Sequence, residues 1–469
     1  MTISRTIAET IATTSHEHIP AEVIRVSKRS LLDLIGVILA ASSLGDGCAP
    51  MAEFALGTRG APESTVLGFA RRVPAPQAAF ANGAMAHALD FEDTHDAAFV
   101  HSSAATIPAA LAAAEMIGGV SGGEFLAAIT LGCELVCRMG LALEEDLLTY
   151  GWYMPPVFGA YGAAAAAGNI LGLTAEQMLD AFSLTMCQAT CSAELTNNPQ
   201  SVIRSVRDAF AAQAGIVSAL LARRGVRGFA EPFEGKRGFF HAFARGRYRP
   251  EALTEGLGER YEAARVSFKL WPSCRGTHPY IEGVLQLMRG HRLAPERISS
   301  IRAIVSPVNR MLCEPEEGKK SPATPINAKF SIPFVIATAI HHGDVKLEHF
   351  SPQALKDPKV LETARKVSHT VDETLSFKET LRGTVILEAD GRLHTATIEA
   401  PRGHPDRPVS DELLIGKFLS CARHAAVPIP EDRLRRAADM ILNLEQVADM
   451  RELAALFLPA EEIARTDPS

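Results

Sequence analysis

Between Asn82 and Pro108 the sequence crowds carboxylates and imidazoles into one short stretch, NGAMAHALDFEDTHDAAFVHSSAATIP. Its titratable side chains are Asp90, Glu92, Asp93, Asp96, His87, His95 and His101. Apolar, alanine-rich sequence flanks the stretch on both sides, so these groups interrupt two expected buried helices. Carboxylates and imidazoles beside a core tend to have shifted pKa values, which proton-transfer chemistry needs. A solvated acidic loop with ordinary capping residues is the alternative interpretation.

A second group of reactive side chains stands in VSFKLWPSCRGTH, residues 266–278. It contains Lys269, Cys274, Arg275 and His278. The stretch falls at an expected junction between domains, and clefts for small molecules form at such junctions. An ordinary linker with a surface lysine is the alternative here.

Two further stretches carry polar groups next to predicted helices. In GWYMPPVFG, residues 151–159, Tyr153 precedes two prolines and an Ala/Gly-rich helix. In SVIRSVRDAF, residues 201–210, Arg204 and Arg207 could bind an anion. Taken alone, an aromatic side chain packed at the start of a helix and a solvated helix face explain these stretches more simply.

The elements that must position these groups are helical up to about residue 265. Apolar residues recur at helical spacing there, and period-two alternation is almost absent. Residues 63–70 are predicted to be a short strand or extended segment. The pattern predicts helices at 20–41, 75–89, 104–117, 122–141, 157–172, 174–187 and 203–224.

Strand patterns become frequent after residue 265. Residues 298–307 and 380–400 alternate like strands, and Asp390-Gly391 within the second segment indicates a tight hairpin. Helices are predicted at 278–290, 329–343 and 352–367. After the proline-rich PRGHPDRPVS, helical periodicity returns from residue 410 to the end.

These patterns predict a mainly α protein with two domains. The large all-helical domain is formed by both chain ends, residues 1–265 and 403–469, and a smaller α+β lid domain, residues 266–402, is inserted into it. A chain of 469 residues exceeds the size at which one hydrophobic core usually stops growing, which agrees with two domains.

Composition excludes several classes of function. Hydrophobic residues make up 47% of the chain and charged residues 22%, as in ordinary globular proteins. The net charge of -7 and the lack of a basic run argue against nucleic acid as a partner. The first residues contain no apolar signal-peptide core, and the Ala/Gly-rich stretch is shorter than the ~20 residues that span a bilayer. We expect a cytoplasmic protein that does not bind membranes.

The cysteines do not form a recognisable metal site. None of the eight cysteines belongs to a CxxC pair, and none has histidine partners at suitable spacing, so we interpret them as reduced and mostly structural. Asp90, Asp93, His95 and His101 could bind a divalent ion, but an acidic cluster alone is weak evidence for one. No metal is expected.

Four stretches resemble signatures of the MmgE/PrpD family. The first is HALDFEDTH followed by HSSAATIPAALAAAE, and the second is KLWPSCRGTH. PINAKFSIPFVIATAIHHG and PRGHPDRPVSDELLIGKF resemble the third and fourth, so the likeness covers nearly the whole chain in the right order. The family includes 2-methylcitrate dehydratase, cis-aconitate decarboxylase and iminodisuccinate epimerase. The resemblance implies a cleft between the two domains, a homodimer, and neither a metal nor an organic cofactor.

In this resemblance Asp90, Thr94, His101 and Lys269 fall on polar positions of the family's motifs. The predicted catalytic residues are Lys269, Tyr153, His101 and Asp90, and the predicted substrate-binding residues are Thr94, Arg204, Cys274, Arg275 and His278. Within this set Asp90 would orient His101 or a neighbouring cation, and Thr94 would hydrogen-bond a substrate carboxylate. Asp90 and His101 from one lobe would face Lys269 from the other.

Four positions depart from the family pattern. Decarboxylase-like and dehydratase-like members tend to have histidine at Tyr153, and the family's motifs have lysine at Arg204, a second histidine at Cys274 and tyrosine at Phe334. Histidine titrates near neutrality, whereas tyrosine, with a reference pKa of about 10, needs strong tuning to exchange protons. The absence of that histidine and of the hydroxyl at position 334 argues against dehydration and decarboxylation, because both reactions need a proton donor.

The sequence therefore predicts a cofactor-independent enzyme that abstracts a proton α to a carboxylate of a small di- or tricarboxylic acid. Epimerisation needs two bases on opposite faces of a planar carbanion, and Tyr153 and Lys269 could serve. An isomerase of the iminodisuccinate epimerase type is favoured, followed by a 2-methylcitrate dehydratase-like hydro-lyase and then a cis-aconitate decarboxylase-like lyase. A non-catalytic, metabolite-binding family member and a metal-dependent hydro-lyase are the rivals from other classes.

Overall fold

In the computed structural model, residues 1–198, 201–375, 380–459 and 462 are described. Up to residue 254 the chain is helical apart from a short antiparallel hairpin, β1 (Ser64–Val66) and β2 (Arg71–Val73). The helices are α1 (Ile3–Thr13), α2 (Ala21–Leu44), α3 (Cys48–Gly57), α4 (Ala75–His87), α5 (Ser102–Ile117), α6 (Gly122–Ala142), α7 (Met154–Ile170), α8 (Ala175–Met186), α9 (Ile203–Val206), α10 (Asp208–Arg223), α11 (Phe239–Ala244) and α12 (Pro250–Thr254).

Small residues let the central helices approach closely. Helix α7 is the Ala/Gly-rich stretch, and it packs against α5, α6 and α10. A methyl group added at Gly132 would lie 2.6 Å from the carbonyl oxygen of Gly162, and one added at Gly215 would lie 2.5 Å from the backbone nitrogen of Ala164. Both distances are far inside van der Waals contact, so glycine is required where these backbones meet.

Among the described residues, helix α6 is the single helix that by itself has the length and mean hydropathy of a membrane span. In its most apolar window, 94% of the residues are buried inside the fold. Its N-terminus carries a capping box between Ser121 and Glu124, as helices in water do. These features are those of a core helix.

The next part of the chain forms the smaller α+β unit. Its helices are α13 (His278–His291), α14 (Glu316–Lys320), α15 (Pro325–Lys329), α16 (Ile332–His342) and α17 (Pro358–Arg365), and its strands are β3 (Ile298–Val305), β4 (Val367–Val371), β5 (Gly383–Ala389) and β6 (Arg392–Ile398). The sheet order is β4-β3-β5-β6, with β3 and β4 parallel and the other neighbours antiparallel. Asp390 and Gly391 both have positive φ, 52° and 71°, as the predicted two-residue hairpin requires.

Helices α18 (Asp411–Ala422), α19 (Glu431–Leu442) and α20 (Arg451–Ala455) then return to the helical domain. One hydrophobic core contains residues between Ile7 and Phe268 together with residues between Val409 and Phe457. A second core contains residues between Trp271 and Ala389. The mainly α prediction is confirmed, with both chain ends in the first core. The predicted helical end of the chain lies partly outside the described residues.

The structure adds helices that were not predicted, among them α1 and α3, and the helix predicted at 352–367 begins only at Pro358. Four further differences from the predicted elements have local causes. The first domain is not all-helical, because β1 and β2 form a hairpin. Strand β4 was missed, since its five residues directly follow a helical pattern. The helix predicted at 203–224 is interrupted at Arg207, whose side chain donates to the carbonyl oxygen of Arg204. The helix predicted at 329–343 restarts at Ile332, where the Ser331 hydroxyl caps the amide of Phe334.

Candidate active site

The acidic cluster lies in the turn between α4 and α5, and it is buried. Asp90, Glu92, Asp93 and His87 are each at most 1% exposed. Asp90 has a positive φ of 50°, and its amide donates to the carbonyl oxygen of His87 at 2.8 Å, which folds the chain back. The interpretation of this stretch as a solvated acidic loop is therefore wrong.

Lys269 and Asp90 form a fully buried ion pair. The Lys269 ammonium donates to the Asp90 carboxylate, and to the Asp90 carbonyl oxygen at 3.0 Å. Burial alone would raise the pKa of Asp90 and lower that of Lys269, but their mutual attraction outweighs it and moves both pKa values the other way. Lys269 therefore carries its proton. It acts as a fixed cation, and the predicted role of a free base does not fit this geometry.

Glu92 and the backbone carbonyl oxygen of Asp93 hold His101, whereas Asp90 holds the cation Lys269, the second of the two roles predicted for it. The His101 Nδ1 lies 2.8 Å from Glu92 Oε1, and the same oxygen lies 2.5 Å from His87 Nδ1. Burial opposes ionisation of Glu92, yet the two imidazoles and Lys269 bring its pKa well below the usual value. Because Nδ1 is engaged, His101 has Nε2 left for proton transfer. The residue was missed because loops carry no periodicity that predicts which side chains meet.

Asp93 holds the loop in place and does not line the cavity described below. It accepts hydrogen bonds from Ser30 of α2, at 2.6 Å, and from Ser103 of α5. Burial raises the pKa of Asp93, and these hydroxyl groups partly offset the effect. The loop is thereby fixed to two helices of the domain core.

A cavity of about 370 Å³ lies against the acidic loop. Its wall comes from both cores: His101 and Tyr153 from the helical domain, and Leu312 and Phe330 from the α+β unit. Among the predicted site residues, those that line it are Asp90, Thr94, His101, Tyr153, Arg204, Cys274 and Arg275. Lys269 and His278 are fully buried behind this wall.

Tyr153 stands at the start of α7 beside two guanidinium groups. The Arg207 guanidinium carbon lies 5.0 Å from the centre of the tyrosine ring, and that of Arg204 lies 5.9 Å away. Arg204 also stacks on Phe330 at 3.6 Å, which holds it at the cavity wall. Arg207 is 2% exposed and faces the ring from the protein side. This part of the wall is the strongest candidate for binding a substrate carboxylate.

The remaining predicted binding residues are already engaged. The Thr94 hydroxyl donates to the carbonyl oxygen of Val100 at 3.1 Å, so its proton is not free for a substrate carboxylate. Arg275 donates to Asp96 at 3.3 Å and to the Ser267 hydroxyl at 3.2 Å. Thr94 and Arg275 therefore shape the cavity wall.

Cys274 and His278 also have neutral, structural environments. Burial raises the pKa of Cys274 to about 11, so its thiol stays protonated at neutral pH. Burial likewise lowers the pKa of His278 well below its usual value, and its Nδ1 lies 3.2 Å from the Arg275 guanidinium. His278 supports Arg275 and does not reach the cavity.

Phe334 does not lie at the cavity. It is 1% exposed and packs in the second core, with its ring 6.2 Å from that of Phe350. The hydroxyl expected at this position would therefore not have reached a substrate from this rotamer. Phe330, which lies in the break between α15 and α16, is the aromatic residue of this segment that lines the cavity.

The acidic loop also contains groups that could hold a divalent ion. Ligand atoms of His87, Asp90, Glu92 and His101 lie within 4.8 Å of one another. This set differs from the one considered in the sequence, because Asp93 accepts from two serines and His95 Nδ1 accepts from the amide of Ala98 at 3.1 Å. The Lys269 ammonium already neutralises Asp90, so an ion there would compete with a fixed cation.

The fold and the cavity together define a two-lobed, mainly α protein with a buried acid–base cluster between its two cores. Residues 5–251 match the MmgE/PrpD N-terminal domain, and residues 271–446 match the MmgE/PrpD C-terminal domain. The chain belongs to the MmgE/PrpD family.

Several curated relatives align over nearly the full chain. A cis-aconitate decarboxylase-like protein of Aspergillus oryzae is 31% identical, over 93% of both chains. Cis-aconitate decarboxylase of mouse is 27% identical over 94% of this chain and 90% of its own, and that of human is 26% identical over 99% and 98%.

Proposed function

We propose that the protein is a cofactor-independent lyase that decarboxylates a small unsaturated tricarboxylate of the cis-aconitate type. The observation that carries the proposal is the Glu92–His101 pair, which presents one oriented imidazole to the cavity. The names of the relatives support the same reaction. This reading replaces the epimerase as the favoured one.

The chemistry requires one proton donor and no redox partner. In cis-aconitate, one carboxylate is attached to a carbon next to the double bond. When the bond to that carboxylate breaks, CO2 leaves and the electron pair forms a new double bond. The electrons of the old double bond then take up one proton at its far carbon. One proton enters and one CO2 leaves, so the balance closes.

The cavity supplies groups for each part of this reaction. His101, held by Glu92, would deliver the proton from Nε2. Arg204 would bind a remaining carboxylate, since its Nε has no hydrogen-bond partner among the described residues. The Tyr153 hydroxyl lines the same cavity and could donate to a carboxylate. Lys269 acts through Asp90, which it holds at the wall.

The epimerase prediction rested on two arguments that the geometry does not support. It needed Lys269 as a base, whereas the buried ion pair keeps that side chain protonated. It also used the departure at Phe334, which lies in the second core. Tyr153 remains as the argument in its favour, so epimerisation is the rival that experiments must include.

A side-by-side assay tests the proposal. The purified protein would be incubated with cis-aconitate, 2-methylcitrate and iminodisuccinate, and CO2 release, alkene absorbance and optical rotation would be followed. CO2 release from cis-aconitate alone supports the proposal. Racemisation of iminodisuccinate or water loss from 2-methylcitrate, without CO2 release, would reject it. Repeating the assays after chelation tests the metal-dependent hydro-lyase, and turnover of none of the acids favours a metabolite-binding protein.

Two further expectations stay predictions. The homodimer implied by the family resemblance can be measured by light scattering coupled to gel filtration. The cytoplasmic location can be measured by fractionating cells that express the natural chain.

A further inference from the structure

We propose that Lys417, on helix α18, is a positioning residue. It sets the distance between two backbone segments, the acidic loop that carries Asp90 and the segment that carries Lys269. Lys417 does not line the cavity. Its ammonium lies beneath the site and is bonded to both of these segments at once.

The Lys417 ammonium group has three oxygen atoms around it. Its Nζ donates to the carbonyl oxygen of Phe91 at 2.6 Å and to that of Lys269 at 2.9 Å, and it forms an ion pair with Asp33 Oδ1 at 2.6 Å. The two carbonyl oxygens and the carboxylate together compensate the buried charge. The Nζ also lies 3.8 Å from the centre of the Phe91 ring, which adds a cation–π contact.

The acceptors belong to the two segments that form the site. Phe91 lies between Asp90 and Glu92, so its carbonyl is part of the acidic loop. Lys269 is the partner of Asp90, and its carbonyl lies on the segment that leads into the α+β unit. One ammonium group therefore fixes the loop against the segment that crosses between the two cores.

The local packing gives no reason for a lysine other than these contacts. Its side chain is 6% exposed, and a buried ammonium is costly unless it is fully paired. Helix α18 packs against α2 mainly through apolar side chains such as Phe418, which an apolar residue at position 417 would extend. The Lys417 ammonium group instead binds backbone carbonyl oxygens that have no helix or sheet partner in the described part of the chain. Small displacements of catalytic groups can lower the reaction rate strongly.

Asp33 completes the arrangement from the other end of the chain. It lies on α2, is 1% exposed, and burial raises its pKa to about 6 against the opposing attraction of Lys417. Asp93 and Glu92 of the acidic loop also act on this carboxyl group, and both favour its neutral form. Both chain ends thus support the site, although neither α2 nor α18 supplies a residue to the cavity wall.

The test compares Lys417→Met with Lys28→Met. Lys28 also joins α2 to the C-terminal region, through a 2.7 Å ion pair with Glu445, but it lies away from the cavity. Because Lys417→Met alone leaves Asp33 unpaired and could impair folding, the double variant Asp33→Asn/Lys417→Met is made as well. We expect kcat to fall about 10- to 100-fold in both Lys417 variants, with a smaller change in KM, and to stay at the wild-type value in Lys28→Met.

Hydrogen exchange gives a readout that needs no substrate. This matters because the kcat comparison rests on the proposed function, whereas the exchange comparison does not. The amides of Thr94 and Ser267 bond to each other's carbonyl oxygens at 3.0 and 2.7 Å, across the same two segments. In the Lys417 variants both should exchange faster, while amides in the centre of α7 stay protected. Wild-type kcat and unchanged exchange at these amides in the double variant, or a uniform loss of protection throughout the protein, would overturn the proposal.

Discussion

At the residue scale, the buried charges of the site are paired, and each pair has its own partners. Lys269 neutralises Asp90, and the Glu92 carboxylate lies between the imidazoles of His87 and His101. Burial makes each unpaired charge costly, so removal of one partner affects both stability and chemistry. Two predictions follow from this arrangement.

The first concerns Glu92→Gln, which keeps the size of the side chain and removes its charge. The amide removes the negative charge that lies 2.8 Å from His101 Nδ1, so kcat should fall by about 10²- to 10⁴-fold, the range of general acid–base contributions. Glu115→Gln is the matched control, because Glu115 is a buried carboxyl on the adjacent helix that bonds to Thr65. Steady-state kinetics check it, and equal activity of the two variants would contradict the assigned role of Glu92.

The second concerns the ion pair itself. Lys269→Met leaves the Asp90 charge buried without its partner and should lower the free energy of unfolding by about 3–5 kcal/mol. The double variant Asp90→Asn/Lys269→Met leaves no such charge and should recover a large part of that loss while staying inactive. Urea denaturation measures both. Equal stability of the single and double variants would show that the pair is not coupled as described.

The sequence motifs identified many of the side chains near the cavity, but they did not predict which of these side chains bond to each other. Asp90 and Lys269 are neighbours, as the family resemblance implied. Glu92 was missed because the partner of His101 depends on how a loop folds. Thr94 and His278 were predicted to contact the substrate. In the structure the Thr94 hydroxyl bonds to the Val100 carbonyl oxygen, and the His278 imidazole bonds to the Arg275 guanidinium. Spacing places side chains on a motif, whereas the hydrogen-bond partners are decided by the tertiary fold.

At the element scale, the site depends on the segment that leads from the helical domain to the α+β unit. Its Phe268 amide donates to the carbonyl oxygen of Gly403 at 3.0 Å, and its Cys274 amide donates to that of Lys329 at 3.0 Å. The segment that carries Lys269 is thus held by the returning linker and by the end of α15. Each of these contacts gives a prediction.

Gly403→Ala should damage both stability and activity. Gly403 has a φ of 89°, and an added methyl group would lie 2.0 Å from the carbonyl oxygen of Phe268. Gly391→Ala is the control, because Gly391 also has a positive φ, 71°, but no atom lies within 4 Å of the added carbon. The control should cost about 1–2 kcal/mol from backbone strain alone. Thermal unfolding and kcat should both fall further in Gly403→Ala; equal effects would contradict the close approach.

Lys329→Met should change how stability varies with pH. Lys329 is buried, donates to the Pro272 carbonyl oxygen at 3.2 Å, and burial lowers its pKa to about 7 from 10.5. Between these values the unfolded chain holds a proton that the native lysine has lost, so raising the pH stabilises the native protein. The methionine variant lacks this contribution. Its stability relative to wild type should therefore be greatest below pH 7 and decline by about 1.4 kcal/mol per pH unit between about pH 8 and about pH 9. Urea titrations that show a pH-independent difference would contradict the lowered pKa.

Helical periodicity predicted the long helices, and the turn residues Asp390 and Gly391 predicted the hairpin between β5 and β6. The short elements were not predictable in the same way. Strand β4 has five residues and gains its identity from parallel pairing with β3, a contact distant in sequence. The break before α16 depends on a single capping hydroxyl at Ser331.

At the scale of the whole molecule, the cavity lies where two separate hydrophobic cores meet. The first core contains residues from both ends of the chain, and the second contains residues of the sheet and of α13, α15, α16 and α17. The change of pattern near residue 265 falls between the two cores, since Phe268 belongs to the first core and Trp271 to the second. The position of the cavity followed from the general tendency of clefts to form at such junctions. Its reaction could not be read from the same pattern, because it depends on which buried groups hold their protons.

Decarboxylation with His101 as the proton donor is the reaction that we propose for this cavity, and NMR in heavy water follows both the carbon skeleton and the incoming proton. The protein would be incubated with cis-aconitate in D2O, and the product would be followed by proton and carbon spectra. We expect loss of CO2 and a single deuterium at the carbon that was the far end of the old double bond, and both should be about 10²- to 10⁴-fold slower in Glu92→Gln. Deuterium exchange on an intact carbon skeleton, or no reaction of cis-aconitate while iminodisuccinate exchanges its α-proton, would contradict it.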